Sequence, residues 1–308
     1  MAQGTAAAET DDDETLRLFR RNRVPRLVAG IVISVVLLAA YLFGIQSYRS
    51  GLGQEFPVQS PPPGGVSVVV VPERVSPEAQ ELPAQALLFP APDLLDAAGS
   101  LTREVEVRIQ PAVEGQILVF PAGEAPSPQG IVLPAAGIVQ QYPLDSYAVS
   151  VTVTARSVFA DTDEALASQA SVFFRVPGWS AQDTNASPGA GRGEVISTLL
   201  VRDGSTKSIA LLLLLLMVVL ATIAILVTGS ATRGRLKLEL SVASWMTALL
   251  FALIPLRGFF PGTPPLGSWM DILVFFWVEL ILMLSVAAVA ATILVRARDA
   301  RHHQGEPR

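Results

Sequence analysis

The sequence has no cysteine and only two histidines, His302 and His303, side by side near its C-terminal end. The first absence excludes a disulfide framework, a cluster-ligating thiolate set and a thiol nucleophile. The second confines imidazole to the tail, where two adjacent histidines without a carboxylate cluster read as solvated rather than as a metal site. Charge is scarce as well. Asp, Glu, Lys and Arg make up 16% of 308 residues and hydrophobic residues 51%, whereas an ordinary soluble domain is about 25% charged. The net charge of −5 comes with no basic stripe interleaved with aromatics, so nucleic acid is not an expected partner. Nucleophile elbow, phosphate loop, zincin helix and histidine-based triad are all missing from the sequence. We therefore assign no catalytic, cofactor-binding or metal-binding residue and do not expect an enzyme.

What the sequence does have is long apolar runs. Residues 27–48, 208–229, 240–256 and 269–295 are each long enough, at 1.5 Å per residue, to approach or span the ~30 Å hydrocarbon layer. A charged segment precedes the first and no small-residue cleavage site follows it, so it reads as an uncleaved anchor. Basic residues set the orientation. Arg17, Arg20, Arg21, Arg23 and Arg26 precede the first run; Arg233, Arg235 and Lys237 separate the second and third; Arg296, Arg298 and Arg301 follow the fourth. All three clusters fall on one side if both termini are cytoplasmic. The expected order is then a cytoplasmic tail (1–26), an extracytoplasmic β-rich domain (49–207), a cytoplasmic loop (230–239), an outer Pro/Gly-rich loop (257–268) and a cytoplasmic tail (296–308). The chain is expected in the plasma membrane as a multi-pass protein.

The β reading of the outer segment rests on period-two alternation and on punctuation by proline. Residues 66–71, 101–109, 115–120, 130–133, 147–158 and 171–176 read as strands, with prolines 72, 83, 90, 92, 111, 121, 134, 143 and 177 at turns and edges. Short strands without an amphipathic helix pattern argue for a sandwich. Residues 180–192, polar and rich in Gly and Pro, read as a loop. The turn around Tyr142, Pro143 and Asp145 delivers Tyr147 into a strand; a buried tyrosine and a partner-facing edge lined by Tyr142 and Asp145 are both open readings. Asp161, Asp163 and Glu164 read as a solvated acidic turn, because an EF-hand spacing is missing.

Three polar residues stand out in the apolar part. Arg257 closes the third run and Asp271 opens the fourth at similar depth, which allows an ion pair across the hairpin. Glu279 falls near the midplane, where a charged group costs about 2.5–3.5 kcal/mol on insertion scales. It should be neutral, paired or in a hydrated cavity, with Ser34, Thr222 and Thr247 as partners at matching depth.

Leu256, Arg257, Pro261, Gly262, Thr263, Pro264, Pro265, Leu266, Gly267, Asp271, Phe275, Phe276 and Trp277 form a pattern, L-R-x-x-x-P-G-T-P-P-L-G…D…F-F-W. With the Tyr142–Tyr147 turn, it resembles a bacterial and fungal membrane family catalogued as domain of unknown function number 4436. The resemblance implies one span, a β-rich outer domain and three further spans, and implies no activity. The functional expectation is a structural or interaction component of the cell envelope, in contact with the lipid bilayer and envelope proteins, possible as a homo-oligomer. A small transporter or channel subunit using Glu279 is the alternative.

Overall fold

The structure is a computed structural model that describes residues 38–39, 41–46, 60–159, 162–188, 193–234 and 240–304. Among the described residues, a β domain is followed by a unit of three long helices. Eleven strands form two sheets: β1 (Val66–Pro72), β2 (Glu81–Pro90), β3 (Glu104–Gln110), β4 (Ile117–Phe120), β5 (Gln129–Pro134), β6 (Ala136–Gly137), β7 (Ser146–Phe159), β8 (Thr162–Leu166), β9 (Ser168–Val172), β10 (Trp179–Pro188) and β11 (Glu194–Arg202). One sheet has the order β5-β2-β1-β9; the other runs β10-β11-β7-β3-β4, with β6 and β8 also paired to β7. Alternation sets which face of each strand is buried. Val149, Val151 and Val153 of β7 meet Val68 and Val70 of β1 in a single core that also takes Leu82 of β2, Val107 of β3 and Leu200 of β11. This is the sandwich the alternation implies.

Several elements depart from expectation. Thr162–Leu166, which includes Asp163 and Glu164 of the expected acidic turn, is strand β8 and pairs with β7. Strand β2 carries prolines at 83 and 90, which disguised a strand whose Leu82, Ala84, Ala86 and Leu88 are buried. Strand β11, Glu194–Arg202, was not expected at all, although it pairs with β7 along eight positions from Glu194↔Val153 to Val201↔Ser146. Residues 180–188, expected as a loop, instead belong to β10, which pairs with β11 around a bulge between Gln182 and Asn185. Its composition misled because it is an edge strand, exposed from Gln182 to Pro188, where packing asks nothing apolar of the side chains.

The helices are α1 (Gly204–Thr232), α2 (Leu240–Gly258) and α3 (Phe276–Gln304), the last preceded by a π-helical turn at Asp271–Phe275. Three helices among the described residues are long and apolar enough to cross a membrane, not the expected four. The expected span at 27–48 lies mostly outside the described residues, being helical at 38–39 and 41–46. Boundaries shift too. α2 continues through Pro255 to Gly258, although that proline withholds one N–H from the helix ladder, and α3 runs on through the basic tail to Gln304. The Arg296 guanidinium donates to the Ala231 carbonyl at 3.0 Å, so the C-terminal ends of α1 and α3 lie together, opposite the β domain. Leu200→Ala, which removes a fully buried side chain of the sandwich core, is expected to lower unfolding stability by about 2–5 kcal/mol; denaturant unfolding of the full chain in detergent checks it.

Candidate functional site at the junction

Strand periodicity brings a charge inward at the end of the sandwich. Ile196, Thr198, Leu200 and Arg202 share the buried face of β11. Arg202 is the last residue of that strand. Trp179 faces it across β10, and the β11–β7 register, which ends at Val201↔Ser146, brings Asp145 alongside it. The Arg202 Nε donates to both Asp145 carboxylate oxygens at 3.1 and 3.3 Å, and Nη2 donates to Oδ2 at 3.2 Å. The side chains are 4% and 0% exposed, so the pair is taken out of water as a unit. The guanidinium lies 4.0 Å from the Trp179 ring centroid and 5.2 Å from that of Tyr142. A desolvated cation between aromatic faces gains about 2 kcal/mol or more, which helps offset the burial of charge that a carboxylate alone repays poorly.

The same cluster joins the two units. One residue past Arg202, Asp203 caps α1 by accepting from the Thr206 N–H at 2.7 Å, so the strand passes into the helix without a linker. The Tyr142 hydroxyl donates to the Pro261 carbonyl at 2.9 Å, in the connection between α2 and α3. Its ring meets Phe260 edge-on at 6.4 Å. Gly262 closes the arrangement. Its φ of 75° suits glycine, and a Cβ there would collide with the Arg202 guanidinium.

Tyr142 and Tyr147 are both buried and sit beside this ion pair. Burial pushes both phenol pKa values well above the ordinary value of 10.0, and the Asp145 carboxylate adds to the rise while Arg202 opposes it. The Tyr147 hydroxyl lacks a full hydrogen-bond partner, although the carboxylate is near enough to act on it. Of the two readings of the 142–147 turn, the structure takes the buried one, with Pro261 of the same chain as the tyrosine's partner.

A second ion pair shapes the α2–α3 connection. Arg257 donates from Nε to Asp271 Oδ1 at 2.9 Å and from Nη2 to Oδ2 at 2.8 Å. Nη2 also meets the Pro264 and Pro265 carbonyls, both at 3.2 Å, while the Gly267 N–H donates to Asp271 Oδ2 at 2.9 Å. Prolines supply no N–H and glycines no side chain, so the loop's free carbonyls are satisfied by the arginine at its centre.

Glu279, half-buried on α3, has no hydrogen bond or ion pair among the described residues. The hydroxyls expected at its depth bond within their own helices, Thr222 to Val218 and Thr247 to Ala243, and Ser34 lies outside the described residues. Glu164 lies 3.6 Å from Arg103, and Asp161 is outside the described residues. An apolar cavity of about 270 Å³ lies between Tyr41 and Ile45 on one side and Ile209 and Leu212 on the other. No carboxylate, amine or imidazole lines it, so it offers room without acid–base chemistry.

Residues 56–199 match the model of a domain of unknown function, DUF4436, and residues 202–296 match a second domain of unknown function, DUF8686. The first ends at residue 199 and the second begins at Arg202. The proline- and glycine-rich pattern from Leu256 to Trp277, which carried much of the resemblance, lies in the second match, whereas the Tyr142–Tyr147 turn lies in the first. No curated protein matches the chain.

Removing one partner of the Arg202–Asp145 pair leaves a buried charge, so Arg202→Met or Asp145→Leu should each destabilise the chain by about 3–5 kcal/mol. The double variant Asp145→Leu/Arg202→Met should recover most of it, and a double-mutant cycle on chemical unfolding measures the coupling. The tyrosines predict alkaline sensitivity. With folded pKa values above the unfolded value of 10.0, their contribution is intact below pH 10.0 and is lost as pH rises past it, because the unfolded chain ionises first. The stability loss above that pH should be shallower in Tyr142→Phe/Tyr147→Phe than in the wild type, read from unfolding midpoints across the alkaline range.

Proposed function

The chain is a DUF4436-family protein by its β domain, and from that premise we propose that it is a multi-pass membrane protein of the cell envelope. In this reading it holds its β sandwich outside the cytoplasm, in a fixed orientation, as a structural or interaction component. The observation that carries the reading is the junction. A sandwich on a flexible tether needs no buried ion pair where it meets its anchor, yet here Arg202, Asp145, Tyr142 and Pro261 lock the two together. A rigid mount sets which loops and edges face outward, and the exposed edge strand β10 supplies unpaired backbone groups of the kind partners pair with.

Membrane placement is supported by the helices' outer surface. Leu211, Leu226, Phe251, Ile254, Leu273 and Leu284 are all exposed, an unfavourable display in water and the expected one in lipid. Arg233 after α1, and Arg296 and Arg298 in α3, lie toward the end opposite the β domain, and the sequence adds Arg235 and Lys237 directly after Arg233. The positive-inside rule makes that end cytoplasmic.

A transporter or channel subunit is a second reading, favoured by Glu279 alone. An acid on an apolar helix without a partner among the described residues marks a candidate proton or ion site. Two measurements separate the readings. A photo-cross-linker at Gln182, on the β10 edge, is expected to give discrete protein adducts in cells; an uncross-linked chain would count against the interaction role. Glu279→Gln in reconstituted vesicles is expected to leave proton and ion flux unchanged, whereas a loss of wild-type flux would favour transport.

A further inference from the structure

We propose that the turn carrying Ile138 and Leu144 is a lipid-contacting anchor: the β domain presses this edge into the membrane interface beside the α2–α3 connection. The inference rests on the membrane reading above and adds a second contact between the sandwich and the bilayer. Leu144 is 71% exposed and Ile138 55%, two large aliphatic side chains on either side of the buried Tyr142. Their depth is fixed by what Tyr142 touches. Its hydroxyl bonds to Pro261 and its ring packs on Phe260, just past the end of α2 at Gly258. Two residues of chain reach at most about 7 Å, so Leu144 lies no farther than that from the level of Tyr142. The headgroup zone on each side of the hydrocarbon layer is about 5–8 Å deep.

The connection that Tyr142 touches is itself apolar and exposed. Phe259, Leu266 and Trp269, in the connection between α2 and the π-helical turn, are 73%, 79% and 56% exposed. Aromatic and aliphatic side chains at the end of an apolar helix are the composition of a membrane-interface belt. Leu144 follows Pro143 and precedes Asp145, whose carboxylate is locked to Arg202, so the backbone that carries it is held from both sides. A leucine so displayed, at the level where the helices leave the apolar layer, meets the upper acyl chains and headgroups of the surrounding lipid.

Since the sequence has no cysteine, single-cysteine variants of the full chain can each carry one environment-sensitive fluorophore. Leu144→Cys, Leu226→Cys and Ser187→Cys would be labelled, reconstituted into phosphatidylcholine vesicles and exposed to spin-labelled lipids or aqueous iodide. The label at 144 should emit blue-shifted, be quenched at least twofold more by a spin label high on the acyl chain than by one near its end, and resist iodide. The label at 187, on the exposed part of β10, should respond to iodide alone. Iodide quenching at 144 without lipid quenching, while 226 is quenched from lipid, would overturn the anchor and leave the membrane reading standing. Loss of lipid quenching at 226 would overturn both.

Discussion

A guanidinium taken out of water must be matched on every side, and the junction of this protein is organised around that demand. Arg202 reaches the interior because strand periodicity gives it the same face as Ile196 and Leu200. Once there, it requires a carboxylate, which the β7 register supplies as Asp145, and its flat faces are covered by Trp179 and Tyr142. Strands β10 and β11 and the turn before β7 thereby converge on a single side chain. The next residue, Asp203, begins α1, so the orientation of the helix is inherited from the strand.

The second ion pair works in series with the first. Arg257 and Asp271 gather the Pro264 and Pro265 carbonyls and the Gly267 N–H into a compact connection. That connection presents the Pro261 carbonyl to Tyr142 and the bare face of Gly262 to Arg202. Neither contact tolerates much displacement: one is a hydrogen bond of 2.9 Å, the other an approach that leaves no space for a methyl group. The α2–α3 connection and the sandwich therefore hold each other in register through Arg202.

The sequence made the sandwich legible where alternation was clean, as in β3 and β7, and the helices where charge was absent, as in α1. Arg257 and Asp271 could be paired from sequence because fourteen positions and a hairpin separate them. Arg202 could not. It stands 57 positions from Asp145, at the end of a strand that went unrecognised, and reads as an ordinary basic residue before an apolar run. An arginine in phase with Ile196 and Leu200 was the available signal, but using it required seeing β11. Edge strand β10 hid for the opposite reason, since solvent imposes no pattern on exposed side chains.

Whether the sandwich is truly mounted rather than tethered can be measured as a distance. Spin labels at Glu124→Cys on the β domain and Thr232→Cys at the far end of α1, in the otherwise cysteine-free chain, report their separation by pulsed dipolar spectroscopy. A narrow distribution in the intact chain, broadening when Arg202→Met is added while circular dichroism stays native, is the expected result. A distribution already broad in the intact chain would contradict a fixed junction, and so would one left unchanged in a folded Arg202→Met variant.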